Sequence, residues 1–130
     1  MGKKVSRSHA QKVTSLHRGE VYLVAFDPTV GREIKKTRPA LIIQNDVGNR
    51  YSDLTIVAAI TSKISPVLYP VEVIVQPSTT NGLQVLSAIL LDQVRTVDKQ
   101  RLLKRLGVVD PLTMQKVDEA IQISMGLIEI

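Results

Sequence analysis

Apolar positions fall in short runs separated by turn residues. Glu20 to Phe26 is rich in β-formers and stops at Asp27-Pro28, a turn signal. A polar stretch from Thr29 to Thr37 follows, carrying Gly31 and the cluster Arg32, Lys35 and Lys36. Pro39 opens a second strand, Ala40 to Ile43, because a missing N–H is tolerated at a strand start. Asn45-Asp46 ends it, and Val47 to Asp53 reads as another polar loop. Leu54 to Ile60 is a continuous apolar run, expected to be buried on both faces. Val71 to Val75 and Ala88 to Leu91 are further strand candidates, with Asn81-Gly82 as a turn between them. The last of these runs into Asp92-Gln93-Val94-Arg95-Thr96.

The period then changes. Asp98 suits the N-cap of a short helix through Leu103, and Lys104 to Val109 reads as one more strand. Asp110-Pro111 supplies an N-cap followed by Pro at the first helical position. Met114, Val117, Ile121 and Ile128 recur at helical spacing, which predicts a C-terminal helix of about 15 residues laid on the sheet. Gly126 should weaken its last turn. There is no βαβ alternation and no internal repeat. The pattern predicts a mainly β fold with added helices, a small and strongly curved antiparallel sheet or barrel. Open sheet edges and an apolar terminal helix are often covered by a second copy, so a homodimer is expected.

At 130 residues the chain is one domain's worth, and 44% hydrophobic residues can supply a core. No cysteine is present, which excludes a disulfide scaffold, a thiolate metal site and a Cys nucleophile. The four aromatics, Tyr22, Phe26, Tyr51 and Tyr69, would make a thin base-stacking platform. The net charge of +5 is unevenly placed. Residues 1–17 hold Lys3, Lys4, Arg7 and Lys12 with no acid, while residues 18–130 hold 13 basic and 12 acidic side chains. Residues 1–17 read as a basic flexible arm, and residues 18–130 as the folded body. No run has the length of a signal peptide or membrane span, so a soluble, cytoplasmic protein without membrane contact is expected.

Both histidines, His9 and His17, lie in the arm, and the carboxylates are scattered. A metal site, a Ser-His-Asp triad and a histidine-pair nuclease therefore find little support, and no metal or cofactor is expected. What remains is Arg, Lys, Asp, Glu, Ser and Thr at strand ends. That set suits electrostatic stabilisation of a phosphoryl transition state. Three places concentrate it: Gly31 to Arg38; Thr61-Ser62; and Asp92, Gln93, Arg95 and Thr96. From composition alone the plainer readings are favoured: an ordinary charged surface loop, a strand-terminating hydroxyl pair, and an ion pair with a turn, respectively.

The motifs add a resemblance. Arg18-Gly19-Glu20-Val21-Tyr22, Asp27-Pro28, Gly31-Arg32-Glu33, Thr37 to Asp46, Val57 to Thr61, Leu90 to Lys99 and the final helix resemble the MazF/PemK (Kid) toxins of type II toxin–antitoxin systems, with the MazF branch of Gram-positive bacteria the nearest likeness. The likeness covers residues 18–130, as a MazF-like toxin domain. It implies an SH3-like barrel of the CcdB/PemK type with a C-terminal helix, a homodimer, and a metal-independent endoribonuclease acting on single-stranded RNA. In that reaction the 2′-OH attacks the adjacent phosphorus and leaves 2′,3′-cyclic phosphate and 5′-OH ends. It also implies a cognate antitoxin, expected to be an acidic disordered segment that folds over the toxin. The family pattern carries over to Arg38 and Thr61 as the catalytic pair, with Glu33, Ser62, Asp92 and Gln93 as substrate contacts. The chain departs from its relatives where Ile34-Lys35-Lys36 replaces a Gln-Gly-Gly-like stretch, and the basic arm has no counterpart. A CcdB-like gyrase poison and a plain nucleic-acid-binding barrel are the competing readings.

Overall fold

The computed structural model describes residues 15–26, 36–67 and 69–130. Six strands form one antiparallel sheet: β1 (Glu20–Ala25), β2 (Thr37–Ile42), β3 (Leu54–Thr61), β4 (Glu72–Val75), β5 (Ser87–Asp98) and β6 (Leu102–Val108). Helix α1 (Asp46–Tyr51) joins β2 to β3, and α2 (Pro111–Ser124) closes the chain. The strand order is β4-β5-β3-β2-β1-β6. Mainly β with a C-terminal helix is therefore correct.

The hydrogen-bonded ladder does not close into a barrel; β4 and β6 remain its edges. The β4–β5 connection bridges them instead. Val108 N–H donates to the Thr80 carbonyl at 2.9 Å. A Cβ on Gly107 would stand 2.2 Å from the Thr80 carbonyl oxygen, and one on Gly82 2.0 Å from that of Leu106. Only glycine allows two backbones to approach so closely.

Both faces of the sheet are buried, as the apolar run in β3 predicts. Ala58 and Ile60 join a core with Val21, Leu41, Ile89, Leu91 and Val117. Val57 and Ala59 join a second core with Tyr22, Val24, Phe26, Ala40 and Ile42. Each fully buried aliphatic side chain contributes about 1.5–3 kcal/mol relative to exposure. The β3–β5 register slips between Ala58, opposite Val94, and Ala59, opposite Leu90. The extra residues bulge out, and the resulting bend lets β5 pair with β4 at one end and with β3 throughout.

Several sequence expectations need correction. Residues 46–51 are helical, not a loop. Asn45 caps them by accepting from Gly48 N–H at 2.8 Å. No apolar stripe announces this helix because a buried polar residue, Asn49, anchors it. Residues 99–101 form a single 3-10 turn capped by Asp98, shorter than the expected helix. Gly126 lies beyond α2 and stops it. Its φ is +75°, Gly126 N–H reaches the Ile123 carbonyl, and Leu127 N–H reaches that of Gln122. This is a Schellman stop. Ile128 consequently falls outside the helix. Residues 1–14 of the expected arm lie outside the described residues, while Leu16 is buried in the second core. Among the described residues no helix is long and apolar enough to cross a membrane.

Candidate active site

The sequence pairs β2 with β3 so that Ala40 faces Ala59, Leu41 faces Ala58 and Ile42 faces Val57. Continuing that register two residues beyond its last pair sets Arg38 opposite Thr61. Two runs of small and branched apolar residues thus carry one cation and one hydroxyl to the same end of the sheet. Both side chains line a cleft of about 710 Å³. Ser62, Lys63, Pro39 and Leu83 line it too, and Gln84, Val85 and Ser87 contribute from the β4–β5 connection.

Arg38 is exposed, and its guanidinium makes only a long 3.4 Å bond to the Thr37 carbonyl. Thr61 is half-buried, and its Oγ1 accepts from Lys63 N–H at 3.0 Å. With a lone pair engaged by that donor, the hydroxyl proton of Thr61 is free to donate to an incoming acceptor. Among the described lining residues there are two cations, Arg38 and Lys63, and no carboxylate or imidazole. The cleft therefore favours an anion, though the folded body is nearly neutral.

The backbone entering β2 is strained. Lys36 has φ +63°, an unfavourable region for a residue with a Cβ. Its carbonyl accepts from Phe26 N–H at 2.8 Å, which ties the ends of β1 and β2 together next to Arg38. On the neighbouring surface Arg95 donates to the Phe26 carbonyl at 3.0 Å and lies over the Phe26 ring, 5.4 Å from its centroid. Arg101 donates to the Ala25 carbonyl at 3.1 Å.

The other predicted substrate contacts are dispersed. Ser62 is exposed in the cleft. Asp92 and Gln93 occupy the β5 bulge, four and five residues past Ala88, the partner of Thr61. They do not line the cleft. Glu33 lies outside the described residues.

Sequence reasoning missed the polar group that supports the opposite end of the sheet. Asn49 is fully buried. Its amide donates to the Gln44 carbonyl at 2.9 Å and accepts from Thr55 Oγ1 at 2.7 Å and Gln44 Nε2 at 3.0 Å. Lys99, also buried, donates through Nζ to the Asn49 carbonyl. Burial lowers the Lys99 pKa, and the Asp53 charge partly offsets this. Arg18 adds three ties: N–H to Asp46 at 2.7 Å, Nε to the Ile43 carbonyl at 2.8 Å, and a 2.7 Å ion pair with Asp118. The Arg18 N–H bond is the main reason the Asp46 carboxyl titrates below its ordinary value.

Comparison with known proteins gives one consistent result. Residues 17–125 match the family model described as "PemK-like, MazF-like toxin of type II toxin-antitoxin system". Endoribonuclease EndoA of Bacillus subtilis is 47% identical over 112 residues, covering 86% of this chain and 96% of the relative. Endoribonuclease MazF of Staphylococcus saprophyticus is 45% identical over 112 residues, covering 86% and 92%. Among solved structures, a mycobacterial endoribonuclease in complex with its cognate antitoxin superposes with a TM-score of 0.74 at 26% identity, covering 89% of this chain and all of that one. MazF from Deinococcus radiodurans gives 0.72 at 25% identity, covering 85% and 96%. The shared fold, and near-half identity over most of the length, place the chain in the family of PemK-like, MazF-like toxins of type II toxin–antitoxin systems.

Proposed function

We propose that the chain is a toxin that cleaves single-stranded RNA within the Arg38–Thr61 cleft and is neutralised by a cognate antitoxin. One observation carries the reading. The β2–β3 register brings a guanidinium with a single long hydrogen bond opposite a hydroxyl in a cleft that is cationic along its described lining. That the curated relatives are named endoribonucleases favours RNA cleavage over a gyrase poison or a plain binding barrel.

The chemistry follows from these groups. The ribose 2′-oxygen attacks phosphorus, the P–O5′ bond breaks, and the proton lost from the 2′-OH is balanced by one gained at O5′. Negative charge grows on the non-bridging oxygens of the pentavalent transition state. Arg38 meets that charge with a rigid fork of N–H donors. A permanently charged guanidinium is suited to electrostatics rather than to proton abstraction. Thr61, its Oγ1 held by Lys63 N–H, donates to the phosphate and keeps the backbone in line. Ser62 contacts the same phosphate region. Asp92 and Gln93 meet nucleotides farther along β5, and Glu33 helps to orient the substrate.

The SH3-like barrel belongs to the same proposal, with the β4–β5 connection completing the closure that the ladder leaves open. So does a homodimer, supported by two sheet edges and by exposed Leu112, Met125 and Leu127 on and after α2. We place the protein in the cytoplasm, where its RNA substrate is found, with the basic side chains Lys3, Lys4, Arg7 and Lys12 adding contacts to the RNA backbone. The test is the chemistry of the cut ends on a long single-stranded RNA. New 5′-OH and 2′,3′-cyclic phosphate ends are expected, at the same rate with and without EDTA. Intact RNA, or 5′-phosphate ends, would contradict the reading.

A further inference from the structure

We propose that Gln84 reads a base beside the scissile bond; this inference rests on the ribonuclease reading of the cleft. Gln84 is exposed, lines the same cleft as Arg38 and Thr61, and carries the only amide side chain among the described lining residues. Its amide has no hydrogen-bond partner among the described residues. Among the described residues no aromatic side chain lines the cleft, so none of them offers a stacking platform for a base there. An amide can do the work differently, because it presents a donor and an acceptor side by side to a base edge. In a single strand those edges are open.

The backbone beneath Gln84 is pre-organised for this. Asn81 Oδ1 accepts from Ser78 N–H at 3.1 Å and Leu83 N–H at 2.9 Å, and Asn81 Nδ2 donates to the Gln76 carbonyl at 2.8 Å. Gly82 N–H reaches the Ser78 carbonyl at 3.0 Å. Leu83 is buried in the first core, and Ser87 Oγ donates to the Val85 carbonyl at 2.9 Å. Gln84 thus projects from a segment pinned on both sides, with exposed Val85 as an apolar neighbour for the base or ribose. A rigid platform with an uncommitted amide discriminates because a mismatched base leaves that amide unpaired.

The test uses the full chain and an RNA library randomised around one strong cleavage site, with cut ends sequenced. Gln84→Ala is expected to lower discrimination at one nucleotide position flanking the cut about tenfold, leaving discrimination at the others intact. Gln84→Glu, which can only accept, is expected to shift that position towards bases that present an exocyclic amine, cytosine above all. Melting temperatures within about 2 °C of the parent identify a role in reading rather than folding. A uniform loss of rate at every word, or an unchanged profile in both variants, would overturn the assignment of Gln84 alone. RNA left intact by the unsubstituted chain would overturn the ribonuclease reading along with it.

Discussion

The two ends of the sheet treat polar side chains in opposite ways. Around α1, Asn49, Thr55, Gln44, Lys99 and Arg18 are engaged by each other and by backbone carbonyls. At the cleft, Arg38 has one long bond to its neighbour's carbonyl, and the Lys63 ammonium and Gln84 amide have no partner among the described residues. Polar groups at the first end hold the fold together, so their donors and acceptors are used up. Those at the second end sit on ordered backbone and are mostly left uncommitted, as the proposed binding of an anionic phosphate requires. The difference separates two residue sets that look alike in the sequence.

That separation can be broken by substitution. Arg38→Ala should reduce the RNA cleavage rate about 10²- to 10³-fold with little change in melting temperature, measured by single-turnover cleavage and thermal unfolding. Asn49→Ala should do the reverse. It leaves Thr55 Oγ1 without its acceptor and the Gln44 backbone carbonyl without its Asn49 donor, and should cost about 2–4 kcal/mol in urea unfolding, while the protein that remains folded still cleaves. A large activity loss in folded Asn49→Ala protein would show that the two ends are coupled. Gly107→Ala forces a Cβ against the Thr80 carbonyl. It should cost about 1–3 kcal/mol and, because Thr80 belongs to the same β4–β5 connection as Gln84, should also disturb cleavage.

Acid should act mainly through the folding end. Asp46 and Asp110 both titrate below the ordinary 3.8, the first chiefly through the Arg18 N–H and the second through Thr113. Their contribution is fully present above 3.8 and is lost as pH falls through the lowered folded values. Unfolding midpoints from pH 6 to 2 should show less acid sensitivity in Asp46→Asn and Asp110→Asn, and an unchanged profile would contradict this. The smallest effect is alkaline. Lys99 titrates below 10.5 when folded, so the unfolded chain binds more protons in that window and stability rises with pH. Tyr22, raised above 10.0 mainly by burial, opposes it at higher pH. Lys99→Met should remove the rise and leave the fall.

Much of this was legible in the chain. The strands follow apolar runs, and the register that brings Arg38 and Thr61 together follows from two such runs pairing antiparallel. The Asp110-Pro111 start of α2 was readable from local chemistry. Residues 46–51 were not, because a helix anchored by a buried Asn shows no apolar period. Nor was the bridge between edge strands, since Gly82 and Gly107 reveal their purpose only when 25 residues apart in sequence become neighbours in space. Gln84 carried no signal at all, because a single amide beside a turn is ordinary until the cleft is seen around it.

One comparison tests the division of labour between the two ends of the sheet most directly. Single-turnover cleavage of one defined RNA should be measured for the parent chain, Arg38→Ala, Thr61→Val and Asn49→Ala, each at a temperature where it is folded. The predicted result is loss of about 10²-fold or more for Arg38→Ala and about 10- to 100-fold for Thr61→Val, with Asn49→Ala near the parent rate. Cleavage at the parent rate by both Arg38→Ala and Thr61→Val would contradict it.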